Sequence, residues 1–513
     1  MKMNKIIILG GGSAGWMTAA TMIKTFPDKE IILIESPNAP TVGVGESTIG
    51  GIRDWTKYLG IDDKEFLKHT DGSYKLSIKF TDFYRKGTEF HYPFGQPVID
   101  GNHAKLNDWW FKKFLKPKTP NSDYAECHFP QMALVNNNKL DYNKDNIIPF
   151  DFHKNTAYHF DATKFGVWLK EHYCLPRGVK HIEEDIKDIK SDENGIVSLN
   201  GHSADLFIDC TGFKSLLLDK TINEPFESYN DLLPNNSAWA TKIEYNDKEK
   251  EIKPYTNCTA INNGWVWNIP LWSRIGTGYV YSDKFVSDEE ALKEFKEYLG
   301  RDDLEFKNIK MRVGIHERVF VKNVCAIGLS AGFIEPLESN GLYTVHDFLL
   351  KLVKVLKRGN DISQFDRDTF NISAKARFRT FAEFVALHYA LSHRDDTPYW
   401  REIKEKQFDK TMNIDYTRFI AGFTNLIINR MVQKKYYLDE GISCIATGLN
   451  YFPLYIQDVL GYECQPKYDL NKTKENILDN MKHLDLQKNR WYDSVKNEKS
   501  LYDYLKDNIH NDN

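Results

Sequence analysis

The feature that most constrains this chain is Gly10-Gly11-Gly12-Ser13-Ala14-Gly15, which directly follows the apolar run Ile6-Ile7-Ile8-Leu9. A short, wholly apolar run that ends in a glycine-rich turn predicts a strand buried on both faces of a parallel sheet. Each glycine of the GxGxxG spacing has its own physical reason. Gly10 permits the tight turn, Gly12 lets the backbone approach a pyrophosphate, and Gly15 lets the following helix pack closely on the strand. The helix N-terminus then offers N–H groups to the anion. A helix from about Trp16 that ends before Pro27, a second strand over residues 31–34 and an acid at Glu35 complete a βαβ unit. Glu35 stands 20 residues after Gly15, where a carboxylate binds ribose hydroxyls and excludes a 2′-phosphate. The alternative is a glycine-rich turn in an ordinary α/β domain; the two strands, the helix and the acid in register favour the dinucleotide. The motif itself leaves FAD and NAD both open.

Further short apolar strands at residues 205–209 and 324–327 each run into a glycine, so the Rossmann-like α/β module is assembled from distant segments. Between them, residues 236–283 carry period-2 alternation (Trp239, Thr241, Ile243, Tyr245; Trp265, Trp267, Ile269; Tyr279, Tyr281), which predicts an inserted antiparallel sheet. Ser287 and Glu290 form a capping box, followed by Leu292, Phe295 and Leu299 on one helix face and a stop at Gly300. From about residue 343 the pattern is helical. The expected organisation is therefore a dinucleotide-binding module over 1–375 with the inserted substrate sheet, and a mainly helical, substrate-covering part over 376–513.

Composition narrows the function classes. At 13% aromatic and 41% hydrophobic, the 513 residues can fill a core, which excludes a disordered or fibrous chain. A net charge of −4 gives no global electrostatic reason to bind nucleic acid or an anionic membrane. The basic cluster Lys112, Lys113, Lys116 and Lys118 reads as solvated surface. Seven cysteines with no CxxC spacing read as reduced thiols in a cytoplasmic protein, with no disulfide framework and no zinc site. His388 and His393 lack a third ligand, so no metal centre is expected. The N-terminal apolar run is shorter than the roughly 7–15 residues of a signal h-region, and no run approaches the roughly 18 of a membrane span.

Four separated motifs give the chain a family resemblance: GGGSAGW (residues 10–16), GVGEST (43–48), GWVWNIP (264–270) and FIEPLESNG (333–341). SYKLSIKF (73–80) and SHRDDTPYW (392–400) extend it. Together they resemble the flavin-dependent halogenases of the tryptophan-halogenase type, for which GWxWxIP is the diagnostic string. The resemblance implies FAD, delivered as FADH2 by a separate flavin reductase. A single dinucleotide fingerprint fits a chain that receives its electrons from elsewhere. It further implies O2 and a halide ion, a flavin C4a-hydroperoxide that oxidises the halide, and hypohalous acid relayed to a lysine beside a small aromatic substrate.

By the same resemblance Lys75 is that lysine and Glu338 the nearby carboxylate, with Lys79 a structural neighbour. Further FAD contacts would be Gly11, Ala14, Ser36, Val44, Ser47, Leu329 and Leu342. Asn340 and Gly341 would hold the halide, and Trp265 and Trp267 would line the route between flavin and substrate. The chemistry suits these residue types. An amine can hold hypohalous acid by a hydrogen bond or as a haloamine, turning a diffusible oxidant into a positioned one. A carboxylate can take the proton from the ring intermediate. From the residues alone, Lys75 reads first as a solvent-facing lysine on a strand, and two indoles on one strand face read first as core.

Two departures from the family pattern matter. Asn340 replaces a threonine at the halide site. Residues 436–455 lack the Phe-Trp pair with which tryptophan halogenases clamp their amino acid. An electron-rich indole or phenol, with bromide or iodide preferred, is therefore expected in place of free tryptophan. A flavin monooxygenase of the same fold and a non-catalytic FAD-binding redox protein are the alternatives.

Overall fold

Strand Lys5–Leu9 lies inside a six-stranded sheet in the order Phe320–Val321, Val324–Ala326, Leu206–Asp209, Lys5–Leu9, Glu30–Glu35, Lys180–Glu183. Its neighbours pair in parallel, and only the edge pair Phe320–Val321 with Val324–Ala326 is antiparallel. Ile6, Ile7 and Ile8 are fully buried, as an apolar run in a parallel sheet requires. In this computed structural model, residues 3–511 are described, apart from 39–44, 99–108, 110–111, 114, 141–146, 360, 412–439 and 451–469.

The chain forms two units. The first comprises Met1–Ser73, Tyr158–Tyr245 and Leu271–Val385; the second comprises Tyr74–Ala157, Asn246–Pro270 and Ala386–Asn513. Both interleave along the sequence, whereas the division expected near residue 375 follows the chain.

The first unit holds the parallel sheet and three antiparallel strands, Lys307–Lys310, Ser237–Ile243 and Ile275–Tyr281. Helix Asp288–Leu299 carries the expected Ser287–Glu290 capping box and ends on left-handed Gly300. It is tied to these strands by Trp239 Nε1, which donates to the Asp288 carbonyl at 2.8 Å, and by Tyr281 Oη, which donates to the Asp288 carboxylate at 2.7 Å.

In the second unit, strands Gly264–Pro270, Tyr255–Ile261, Ser77–Thr81 and Glu89–Pro93 lie side by side. Within residues 236–283, Ser237–Ile243 pairs antiparallel with Ile275–Tyr281 and Tyr255–Ile261 antiparallel with Gly264–Pro270, as expected. Tyr255–Ile261 also pairs in parallel with Ser77–Thr81, which lies outside that segment. The alternation that marks each strand carries no information on its neighbour's direction. The helical C-terminal pattern is seen in helix Gln364–Ala390, most of which belongs to the first unit, and in helices Pro398–Thr411, Glu440–Gly448, Leu470–Ser494 and Leu501–Asn508 of the second.

One surface expectation fails. Lys112 is buried, donating to Asp123 and to Asp485 at 2.6 Å each. Asp123 is also held by Lys488 and by Trp109 Nε1. Burial of an ammonium is tolerated here because two carboxylates meet it.

Candidate active site

The dinucleotide signature sits where its spacing places it, at the turn between strand Lys5–Leu9 and helix Ser13–Thr25. Gly10 has φ +114°, and a Cβ there would stand 2.3 Å from the Cys210 carbonyl oxygen. A Cβ on Gly15 would stand 1.8 Å from the Gly10 carbonyl oxygen. A Cβ on Gly12 meets nothing within 4 Å, and no side chain caps the helix there. Open space beside uncapped helix N–H groups fits a pyrophosphate. Replacing Gly15 by alanine should force the turn open at a cost of about 1–3 kcal/mol. It is expected to weaken FAD binding, read by quenching of flavin fluorescence.

Glu35 faces this turn. Its Oε2 lies 1.5 Å from where a Gly11 Cβ would be, so only glycine leaves room for the carboxylate. Its Oε1 meets His181 Nε2 at 2.6 Å and Lys170 Nζ at 3.4 Å. His181 also packs on Trp16, ring centroids 5.4 Å apart. Sequence reading missed both partners of Glu35. His181 arrives on the adjacent strand, 146 residues away, and no local pattern marks it. The Ser36 hydroxyl donates to Asp185. The Gly328–Ser330 turn, which carries half-exposed Leu329, abuts the Ala14 methyl, and helix Gly341–Leu356, which carries buried Leu342, packs on helix Ser13–Thr25. Gly10, Gly11, Gly12, Ala14, Gly15 and Glu35 thus form one cradle, with Leu329 and Leu342 on elements packed against it. Val44 lies outside the described residues.

Also in the first unit, Glu338 ends the turn Pro336–Glu338 and is 1% exposed. Ser339 follows in the left-handed region, φ +57°, which turns the chain into helix Gly341–Leu356 with Asn340 at its N-cap. The Ser339 and Ser47 hydroxyls are 3.0 Å apart, joining the PLESNG turn to the GVGEST segment. The Asn340 side chain donates to the Ile334 carbonyl at 3.3 Å. Glu46, which sequence reading passed over, comes close to Gly341: a Cβ there would stand 2.9 Å from its Oε1. Below this turn, His346 faces Gly51 and Tyr343. Burial, aided by the Lys351 ammonium, pushes its imidazole down to about 3, so it is neutral at working pH.

In the second unit, Lys75 ends strand Ser73–Lys75 and is fully buried, which removes the solvent-facing reading. Its Nζ lies 5.1 Å from the centre of the Phe94 ring. Lys79 is different: it pairs with Glu89 at 2.5 Å and lies 5.8 Å from the Tyr255 ring. Trp265 and Trp267 share one face of strand Gly264–Pro270, ring centroids 6.2 Å apart, and both are buried. His388 packs on Phe80 and His393 on Tyr84, each at 4.9 Å between ring centroids.

A GxGxxG turn with Glu35 beside it, set on a parallel sheet, is the arrangement of a dinucleotide-binding module. Residues 5–460 match the tryptophan halogenase family, and the chain belongs to that family of flavin-dependent halogenases. It is 35% identical over 433 residues to tryptophan 6-halogenase SttH of Streptomyces toxytricini, covering 79% of this chain and 81% of that one. It is 34% identical over 447 residues to tryptophan 7-halogenase RebH of Lentzea aerocolonigenes, covering 82% of each. Among solved structures, apo VirX1 matches with a TM-score of 0.89 at 37% identity, covering 99% of this chain and all of that one. Enzymes of the family use FADH2, O2 and halide and depend on a separate flavin reductase. No helix among the described residues is long and apolar enough to cross a membrane.

Proposed function

We propose that this chain halogenates an electron-rich arene of the indole or phenol type, with Lys75 holding the electrophile and Glu338 taking the ring proton. The observation that carries this reading is the complete burial of Lys75 beside Phe94. Burial sets this lysine, which stands in the family motif SYKLSIKF, apart from Lys79, which pairs with Glu89. The glycine turn and helix N-terminus would receive the pyrophosphate of FAD, and Glu35, steadied by His181 and Lys170, the ribose. When bound in reduced form, FAD supplies, with O2, the oxidising equivalents that turn halide into hypohalous acid. The Asn340 and Gly341 amides at the start of helix Gly341–Leu356 would hold the halide. The Lys75 amine accepts hypohalous acid as a hydrogen-bonded or haloamine species. From hydrogen-bonded hypohalous acid, the arene carbon bonds to the halogen as the halogen–oxygen bond breaks, Glu338 takes the ring proton, and the released hydroxide takes up that proton as water. From the haloamine, water has already left as the nitrogen–halogen bond formed, and the bonding pair returns to the nitrogen, which regains its proton through Glu338. Buried Trp265 and Trp267 would line the route and keep water from it.

Two finer points belong to this reading. Iodide and bromide give up electrons more easily than chloride, and Asn340 replaces the usual threonine, so the heavier halides should be favoured. A competition assay with equal halide concentrations is expected to give mostly brominated or iodinated product, and preferential chlorination contradicts it. Free tryptophan as the substrate is the second reading, favoured by what the relatives are named for. Against it stands the missing aromatic clamp in residues 436–455, of which 436–439 and 451–455 lie outside the described residues. Turnover of free tryptophan faster than of simple indoles and phenols would select that second reading.

A further inference from the structure

The SHRDDTPYW segment has no role in the chemistry above, yet it grips the turn that precedes the two tryptophans. Strands Tyr255–Ile261 and Gly264–Pro270 form a hairpin in which Ala260 pairs with Trp265 and Cys258 with Trp267. Arg394 is 2% exposed. Its Nη1 donates to the Ala260 carbonyl at 3.0 Å and its Nη2 reaches the Ile261 carbonyl at 3.4 Å. Trp400 Nε1 donates to the same Ile261 carbonyl at 2.7 Å, and the Thr397 hydroxyl donates to the Asn262 carbonyl at 2.7 Å. Three successive carbonyls at the hairpin tip are therefore held by three side chains of one segment.

The arginine's charge is met on the spot. Asp396 takes Nε and Nη2 at 2.8 and 2.9 Å, and Lys86 adds a contact to Asp396 at 2.9 Å. The arginine also lies over the Trp400 ring at 4.8 Å. The Ser392 hydroxyl donates to the Phe83 carbonyl at 2.6 Å and accepts from the Arg394 N–H at 3.1 Å. The segment thus fastens the hairpin tip to the loop that follows strand Ser77–Thr81.

Register is what such a grip controls. Side chains alternate between faces, so a slip of one residue would turn Trp265 and Trp267 to the opposite face. In a hairpin the turn sets the register, and the two-residue turn of Asn262 and Asn263 pairs Ile261 with Gly264. The planar guanidinium, committed to a bidentate carboxylate and two carbonyls, holds the residues that lead into that turn.

We infer that Arg394, with Asp396 and Thr397, is a positioning residue that fixes the register of Trp265 and Trp267, and through them the share of oxidant that reaches the arene. This rests on the halogenase reading. The test measures halogenated arene formed per FADH2 oxidised, with a diketone trap reporting free hypohalous acid, for holoenzyme supplied by a flavin reductase. Arg394→Lys keeps the charge but loses the fork. It is expected to lower the coupling ratio about tenfold and raise trapped hypohalous acid, because small misplacements cost up to about 100-fold. FAD affinity should be unchanged. Thr397→Val and Asp396→Asn, which keep the arginine, should lower coupling by smaller factors, and they serve if Arg394→Lys does not fold. Trp265→Phe and Trp267→Phe are the reference arm. Lowered coupling in the tryptophan variants, with unchanged coupling in the Arg394, Asp396 and Thr397 variants, overturns this inference and leaves the halogenase reading standing. Halogenation that survives unchanged in both tryptophan variants and in Lys75→Ala overturns the reading beneath it.

Discussion

Replacing Lys75 by alanine is expected to lower halogenated product by at least about 100-fold, within the range that a positioned proton-transfer or nucleophilic group contributes. FAD affinity should not change, because the glycine turn, Glu35, His181 and Lys170 belong to the other unit. Flavin oxidation by O2 should continue, so reducing equivalents would be spent without arene product. Lys79→Ala is the matched control. That lysine pairs with Glu89, which is half-exposed, and such pairs contribute about 0–1 kcal/mol. Product formation should stay within about twofold of the parent, because a loss near 1 kcal/mol in stability leaves a folded protein folded. The pair of variants is assayed side by side by mass spectrometry of the arene and by flavin titration. Equal losses in the two would mean that the strand, and not the buried amine, matters.

The largest effect on stability is expected at Arg274. Its guanidinium bridges two carboxylates of the first unit, Asp71 at 2.9 Å and Asp161 at 2.8 Å. All three side chains are largely withdrawn from water, at 13%, 5% and 11% exposure. Asp71 also accepts from the Ser273 N–H at 2.8 Å and the Ser273 hydroxyl at 2.7 Å. Asp161 in turn caps helix Ala162–Trp168. Removing the arginine leaves two buried carboxylates without their cation, which costs about 3–5 kcal/mol. At about 2–4 °C per kcal/mol for large domains, Arg274→Met should melt roughly 10 °C earlier in a thermal scan. Asp71 sits in the left-handed region, φ +57°, four residues before Lys75. The same variant should therefore also lose activity at temperatures where it is still folded. A melting point unchanged within a degree would show that the bridge carries little.

How far the sequence revealed this protein differs from part to part. The βαβ unit could be read directly, because each glycine has a local steric reason and the apolar strands announce their burial. The capping box at Ser287 and the stop at Gly300 were legible for the same reason: capping is decided within one turn. Lys75 could not be separated from an ordinary strand lysine by its neighbours. The family motifs pointed to it, and its burial distinguishes it from Lys79. Long-range partners were not legible. His181 reaches Glu35 across 146 residues, and Asp485 reaches Lys112 across 373. Lys112 therefore read as one of a solvated run when it is the buried member. Strand alternation at residues 236–283 showed strands but not that one of them pairs in parallel with Ser77–Thr81. SHRDDTPYW could be spotted as a segment, but its grip on the hairpin at 260–262 depends on tertiary contacts alone.

The most direct measurement supplies the protein with FAD, a flavin reductase, NADH, O2 and a panel of indoles and phenols, each with chloride, bromide or iodide. Mass spectrometry then reads whether a halogen or a hydroxyl has been added. Halogenated arene that depends on halide and on FADH2, and that disappears in Lys75→Ala, is the predicted result. Hydroxylated arene formed without halide, or halogenation undiminished in Lys75→Ala, would contradict it.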